Sequence, residues 1–392
     1  MTETHTTPPP VTGTSWAHDF DSMDGRIWLN TAHQGPLPRV AASQARHATS
    51  LKEAPYRIAD EAFSTTPETL RAALARLVGG RAEEIVLGNS TSHGLHLIAN
   101  GLTWHRGDEV ITIEGDYPAT VLPWLRLQQA EAGITVRTVR RDPSGTIDLE
   151  HLAATLTPRT RVVALTWVDS FTGATADLDT IGGLCHDHGA LLVVNGSQAV
   201  GARPVNVSTS AAIDALVSCG YKWLCGPYAS GFTWLHADLL STLEPQQAYW
   251  LAQPAGQNLE HMQDYRIRDD LGVRGLDVFC TANFLITQPW TAAVGLLIQI
   301  GIDNIAAHDQ ALIQRLLDGI DETAYAVVGP TDLRSRSTLV VLRPRSGGPE
   351  QIHARLRGAG IDIATREGNL RLAPHLFNTT HHIDRTLDLL NP

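Results

Sequence analysis

The stretches LLVVNGSQAVGARPVNV (residues 191–207) and SCGYKWLCGPYASGFTWL (residues 218–235) decide how this chain is read. In each, the end of a short apolar run passes at once into small and polar residues. Strands buried on both faces give such runs, and open α/β sheets gather ligands at the carboxyl ends of those strands. Working outward, runs rich in Val, Ile and Leu at 84–87, 109–114, 135–139, 161–167, 190–194, 215–218 and 231–235 alternate with amphipathic stretches such as 178–188. That alternation predicts an α/β fold with a mainly parallel sheet. Beyond about residue 270 the pattern changes to a long helical stretch over 292–317, a strand-like 338–343, a helix-like 350–358 and a final helix after Asn378. The division expected is an N-terminal tail over 1–25, a large domain over 26–270 and a small α+β domain over 271–392, with Gly347, Gly348 and Pro349 as a hinge-like turn.

Composition narrows the function. The 392 residues carry 30 Lys and Arg against 41 Asp and Glu, a formal charge of −11 at pH 7, so no global attraction draws the chain to nucleic acid or to anionic lipid. The start, MTETHTTPPPVTGTSW, lacks a cationic and apolar leader, and no apolar run reaches the ~18 residues of a membrane span. The four cysteines, Cys185, Cys219, Cys225 and Cys280, form no CxxC pair, which fits a reducing cytoplasm and argues against a thiolate zinc site. No metal site is expected: His186 and His188 beside Asp187 read as a solvated helix end, and His381 and His382 as the start of the last helix.

Lys222 stands between Tyr221 and Trp223, with Gly226-Pro227 after it. Desolvation lowers the pKa of such a lysine, and a neutral amine forms a Schiff base with a carbonyl compound. A surface lysine whose stem covers Trp223 is the alternative. In LGNSTSHGLHLIANGL (residues 87–102), Ser90, Thr91 and Ser92 precede a helical run, where hydroxyls and free N–H groups either cap the helix or hold an anion.

These segments, with LNTAHQGPLP (residues 29–38), GDYPATVLPW (residues 115–124), DVFCTANFL (residues 277–285) and LRLAPHLFNT (residues 370–379), resemble the class V aminotransferase-like, fold-type I enzymes that use pyridoxal 5′-phosphate (PLP). That group includes cysteine desulfurases, isopenicillin epimerase-like proteins and ergothioneine-pathway C–S lyases. The resemblance implies that Lys222 carries PLP, that Ser90, Thr91 and Ser92 hold its phosphate, and that Tyr117 stacks on its ring. It places Asn195 at the pyridine nitrogen, Gln198 and Ser170 on the side of the phenolic oxygen, and Tyr221 toward the phosphate. It further implies Arg371 as the substrate carboxylate ligand, His33 and Gln34 as substrate contacts, and Thr281 reaching the phosphate of a neighbouring subunit in a homodimer with shared sites.

Two departures direct the reaction expected. Relatives carry Asp where this chain has Asn195, so the cofactor becomes a weaker electron sink unless another acid such as Asp169 compensates. Transamination suffers more from that than β-elimination does. Desulfurases also carry a nucleophilic Cys shortly before the carboxylate-binding arginine, and residues 361–375 hold none; Cys219 and Cys225 read as small buried hydrophobes. The expectation is a C–S β-lyase acting on an S-substituted cysteine in secondary metabolism, such as antibiotic biosynthesis. Decarboxylation with oxidative deamination of the same substrate class, as in lincosamide-pathway relatives, comes next, then epimerisation and aminotransfer. A degenerate PLP-binding partner subunit is the non-enzymatic alternative.

Overall fold

The computed structural model describes residues 15–130, 133–210, 212–257 and 260–391. Strand β1 (Ile27–Trp28) leads into helices α1 (Arg39–Glu53) and α2 (Ala62–Val78). Strand β2 (Ile85–Gly88) and helix α3 (Thr91–Gly101) open an alternating run: β3 (Glu109–Ile113), α4 (Pro118–Ala130), β4 (Thr135–Val139), α5 (Leu149–Thr155), β5 (Thr160–Thr166), α6 (Leu178–Asp187), β6 (Leu191–Asn195), β7 (Ala215–Cys219) and β8 (Gly231–Leu235). The short helices α7 (Ala237–Thr242) and α8 (Pro254–Gln257) precede α9 (Phe284–Ile300) and α10 (Ile302–Gly319). Strands β9 (Tyr325–Val328) and β10 (Val340–Pro344), helix α11 (Pro349–Gly358), strands β11 (Ile361–Asp362), β12 (Ala364–Arg366) and β13 (Asn369–Leu372), and helix α12 (Thr380–Leu390) complete the chain.

The large sheet has seven strands in the order β2-β8-β7-β6-β5-β3-β4. Strand β8 runs antiparallel to both neighbours, and the remaining pairs are parallel. Strands β3, β7 and β8 are buried at every position, so their apolar residues are not confined to alternate positions. The carboxyl ends of β2, β5, β6 and β7 meet at one edge, where the loop from β7 to β8 carries Lys222. A second, four-stranded antiparallel sheet, β12-β13-β10-β9, forms the small domain with α10, α11 and α12.

Several boundaries differ from the sequence expectation. Residues 1–14 of the expected tail lie outside the described residues, but 15–25 pack on the body: the Trp16 N–H donates to the Leu376 carbonyl at 3.1 Å, and the buried Phe20 ring lies 5.1 Å from that of Phe377. Strand β1 pairs with β11, and Ile27 and Leu29 join the small-domain core, so the small domain takes in N-terminal chain as well. Residues just past 270 stay on the large domain. Asp277 accepts from Arg71 of α2 and from the Leu87 N–H at 2.8 Å, and Val278 N–H donates to the Leu87 carbonyl. Gly347, with φ 77°, lies in the bend after β10, and Gly348 and Pro349 are the N-cap and first turn of α11.

The helical pattern over 292–317 is two helices, α9 and α10, bent by 79° at Gly301. Gly301 has φ 89° and ψ 128°, a conformation that side-chain-bearing residues avoid. No single helix among the described residues is long and apolar enough to cross a membrane. Two glycines within a few residues thus have opposite roles, since Gly295 lies inside α9 with open space around its Cβ position. Gly301→Ala is expected to cost about 1–3 kcal/mol, whereas Gly295→Ala is expected to stabilise by about 0.5–1 kcal/mol, both read from urea denaturation midpoints.

Candidate active site

A cavity of about 160 Å³ opens at the carboxyl edge of the large sheet. Its lining contains Ser90, Thr91, Ser92, Tyr117, Ser170, Asn195, Gln198, Tyr221 and Lys222, all singled out from sequence, together with Ala119, Thr166, Ser197 and Cys219. The wall offers hydroxyls, amides, one thiol and one amine, and no carboxylate.

Lys222 is 7% exposed. Burial depresses its pKa, and the nearby charges of Arg371 and Arg366 add to that, against an opposing contribution from Cys219. A buried amine with no acid beside it tends toward its neutral, nucleophilic form. Its Nζ lies 5.3 Å from the centre of the Tyr117 ring, which stacks in turn on Phe171. The loop is held from outside by Gly35: its N–H donates to the Tyr221 carbonyl at 2.9 Å, and a Cβ there would overlap the Lys222 carbonyl oxygen.

The capping reading of the 90–92 turn is realised. Ser90 is the N-cap of α3, its Oγ accepting from the His93 N–H at 3.1 Å. Thr91 Oγ1 lies 2.6 Å from Ser197 Oγ, which brings two hydroxyls together at a helix N-terminus on the cavity wall. Gly231 backs this turn closely, with room for no Cβ against Ser90 N at 2.6 Å. Such a helix start, with positive dipole end and free N–H groups, suits a phosphate.

Asn195, at the end of β6, is fixed in orientation. The Ser197 N–H is an obligate donor, so the atom it meets at 3.0 Å is Oδ1, and Nδ2 donates to Thr120 Oγ1 at 2.9 Å. Thr120 Oγ1 lies 2.8 Å from Thr166 Oγ1, and Asp116 Oδ2 accepts from the Thr166 N–H at 2.9 Å. Asp116 is buried, and burial raises its pKa despite these bonds. Asp169, considered as a compensating acid, is committed elsewhere: it pairs with Arg141 at 2.6 Å and caps the Phe171–Thr172 turn at 2.9 and 2.7 Å. Asp116 is therefore the acid connected to Asn195.

Gln198 donates from Nε2 to the Ala32 carbonyl at 3.0 Å and to Ser170 Oγ at 3.5 Å. Tyr221 faces the cavity, with burial raising its phenol pKa and its ring 5.5 Å from that of Tyr228. Arg371, on β13, is 2% exposed; Nη1 donates to the Ser170 carbonyl at 3.3 Å, while Nε is buried with no partner. Burial, then the charge of Arg366, pushes its pKa down to about 10. A buried guanidinium with an orphaned donor and no carboxylate partner is built to receive an anion.

The three expected substrate contacts, Arg371, His33 and Gln34, line no part of this cavity. His33 lies close enough to feel Arg366, Arg371 and Lys222, which after burial lower its pKa, and Gln34 lines an adjoining apolar groove with Trp28, Tyr221 and Tyr228. Thr281 sits in the turn before α9, its carbonyl accepting from Thr287 Oγ1 at 2.9 Å. Ser197, Cys219 and Arg366 were missed from sequence. Ser197 stands between Asn195 and Gln198 in NGSQ, and Arg366 in TREGNLR ends β12 opposite Asn369; their spacing carried the signal. Cys219 is a buried free cysteine, as read from the sequence, and also forms part of the cavity wall. Among the described residues, no cluster of three or more His, Cys, Asp or Glu is placed to hold a metal.

The residues fit PLP. An unpaired buried Arg371, a hydroxyl-lined helix start and an amine on a carboxylate-free wall together accept a phosphorylated aldehyde and an anionic substrate. Comparison with known proteins agrees. The model of the family described as "Aminotransferase class-V" matches residues 53–378. A probable cysteine desulfurase of Methanothermobacter thermautotrophicus is 29% identical, with 93% of this chain and 94% of that protein covered. Isopenicillin N epimerase of Amycolatopsis lactamdurans is 27% identical over 97% and 99%. The solved complex of the cystine C–S lyase C-DES with cysteine persulfide superposes with a TM-score of 0.83 at 23% identity, covering 95% and 99%. The chain belongs to the class V aminotransferase family, with the fold-type I architecture and PLP as its cofactor.

Proposed function

We propose that this protein is a C–S β-lyase that cleaves an S-substituted L-cysteine into a thiol, pyruvate and ammonia. In this reading Lys222 carries PLP, and Ser90, Thr91 and Ser92 hold its phosphate with Tyr221 alongside. Tyr117 covers the ring, Asn195 meets the pyridine nitrogen, and Gln198 and Ser170 attend the phenolic oxygen. PLP supplies the sink for the electron pair left at Cα. Arg371 binds the substrate carboxylate through its planar fork, and His33 and Gln34 lie where the rest of the substrate enters. The Lys222 amine takes the Cα proton, for which its depressed pKa equips it. The electron pair then expels sulfur from Cβ as the thiol, and water completes the release of pyruvate and ammonia.

The orientation of Asn195 carries this choice. With Oδ1 accepting from the Ser197 N–H and one Nδ2 hydrogen given to Thr120, the amide keeps a second N–H to offer the cavity. A donor facing the pyridine nitrogen leaves it unprotonated and weakens the sink, which favours rapid loss of a good leaving group over reprotonation and aminotransfer. The absence of a thiol over 361–375, where β12 turns directly into β13 through Glu367 and Gly368, supports elimination over persulfide transfer. We further propose a homodimer with shared sites in which Thr281 reaches the neighbouring phosphate. The exposed Tyr228, Trp250, Tyr265 and Phe279 supply apolar surface for that contact.

Incubation with S-alkyl cysteines is expected to yield pyruvate and thiol in equal amounts without oxygen uptake. Carbon dioxide with oxygen consumption, or racemised substrate with no pyruvate, would overturn the assignment. The purified protein should show a visible PLP band that borohydride fixes to the chain; Lys222→Ala should lose both. For Arg371→Lys, steady-state kinetics should show a rise in KM of roughly tenfold or more, the cost of losing one bidentate charged contact.

A further inference from the structure

Trp223, the residue after Lys222, is fully buried, with its indole N–H and its carbonyl both hydrogen-bonded. Its indole N–H donates to Gln198 Oε1 at 2.8 Å, and its carbonyl accepts from His375 Nε2 at 3.0 Å. His375 Nδ1 lies 2.7 Å from Asp309 Oδ2 on α10. A carbonyl gives up no proton, so Nε2 carries one, and the carboxylate holds a second on Nδ1; the ring is an imidazolium. Burial alone would depress this histidine, but the Asp309 carboxylate outweighs it and pushes the value up to about 10. Both side chains have no solvent exposure, and Asp309 Oδ1 has no partner. Buried ion pairs of this kind seldom add net stability over apolar packing, so their presence calls for another reason.

We propose that the His375–Asp309 pair is a positioning device for the cofactor, a strut from the small-domain side that acts through Trp223 on Lys222 and Gln198. The peptide carbonyl it holds is the one next to the lysine. The indole N–H can only donate, so it claims Oε1 of Gln198 and turns Nε2 toward Ala32, Ser170 and the cavity. The bond to Ser170 is long at 3.5 Å, which leaves that N–H for a better acceptor, the phenolic oxygen of PLP. The arrangement rests on Lys222 as the PLP anchor and is indifferent to which reaction follows.

The test compares the PLP-loaded enzyme with His375→Phe, Asp309→Asn, His375→Gln and Trp223→Phe. The readouts are the pH midpoint of the visible PLP band, PLP affinity by equilibrium dialysis, and kcat and KM separately. His375→Phe, Asp309→Asn and Trp223→Phe are expected to move the midpoint by about half a pH unit or more. They should also weaken PLP binding roughly tenfold, with kcat falling more than KM. His375→Gln, which keeps an N–H for the Trp223 carbonyl, should recover most of both. Variants that melt earlier but keep the wild-type midpoint and PLP affinity would overturn the proposal, as would a Trp223→Phe effect that His375→Phe and Asp309→Asn fail to share. A wild-type protein that takes up no PLP would refute the Lys222 assignment instead, so the two failures are told apart.

Discussion

The burial of one primary amine at the carboxyl edge of a parallel sheet is the constraint around which this molecule is organised. An ammonium at the Lys222 position would be desolvated, without a carboxylate on the cavity wall, and with Arg371 and Arg366 adding positive potential. Such a site is at ease only with a neutral amine and an anionic guest. The hydroxyls at the start of α3 and the unsatisfied guanidinium of Arg371 supply complementary seats for two separate negative groups. The electrostatics of the site therefore favour anionic groups at both places before any detail of reaction chemistry is considered.

Much of this was legible in the sequence for physical reasons. Strands covered by helices on both faces must be apolar throughout, so the runs ending at Asn195 and Cys219 announced both themselves and the polar residues beyond them. Lys222 was conspicuous because a charged residue between aromatics is rare. What stayed hidden depended on long-range partners. The break at Gly301 was masked because Ala, Leu and Ile continue the helical period across it, and only its φ reveals the turn. The docking of β1 on β11 joins residues at opposite ends of the chain, which no local pattern encodes. Asp169 was the acid singled out near the site, and only long-range partners, Arg141 for Asp169 and the Thr166 N–H for Asp116, show that Asp116 is the one linked to Asn195 through Thr166 and Thr120.

The same logic explains why neutral and charged polar groups are divided as they are. Asn195 and Gln198 line the cavity as amides whose partners set their direction, with Thr91 and Ser197 as a paired set of hydroxyls, so little reorganisation is needed when a charged guest arrives. The ionised residues stand one layer back, in Asp309 and His375 and in the Arg141–Asp169 pair. Fixed dipoles inside and paired charges behind give a pocket whose field is set by the fold.

The brace on the lysine peptide comes from both ends of the polypeptide, Gly35 on one side and His375, 152 residues after Trp223, on the other. During synthesis the amine at 222 exists long before its second support has left the ribosome. A nascent chain that has completed the large sheet still lacks the His375 contact and the Arg371 seat. Completion of the brace therefore waits on residues 371–375, and a chain cut short before them lacks both the His375 contact and the Arg371 guanidinium.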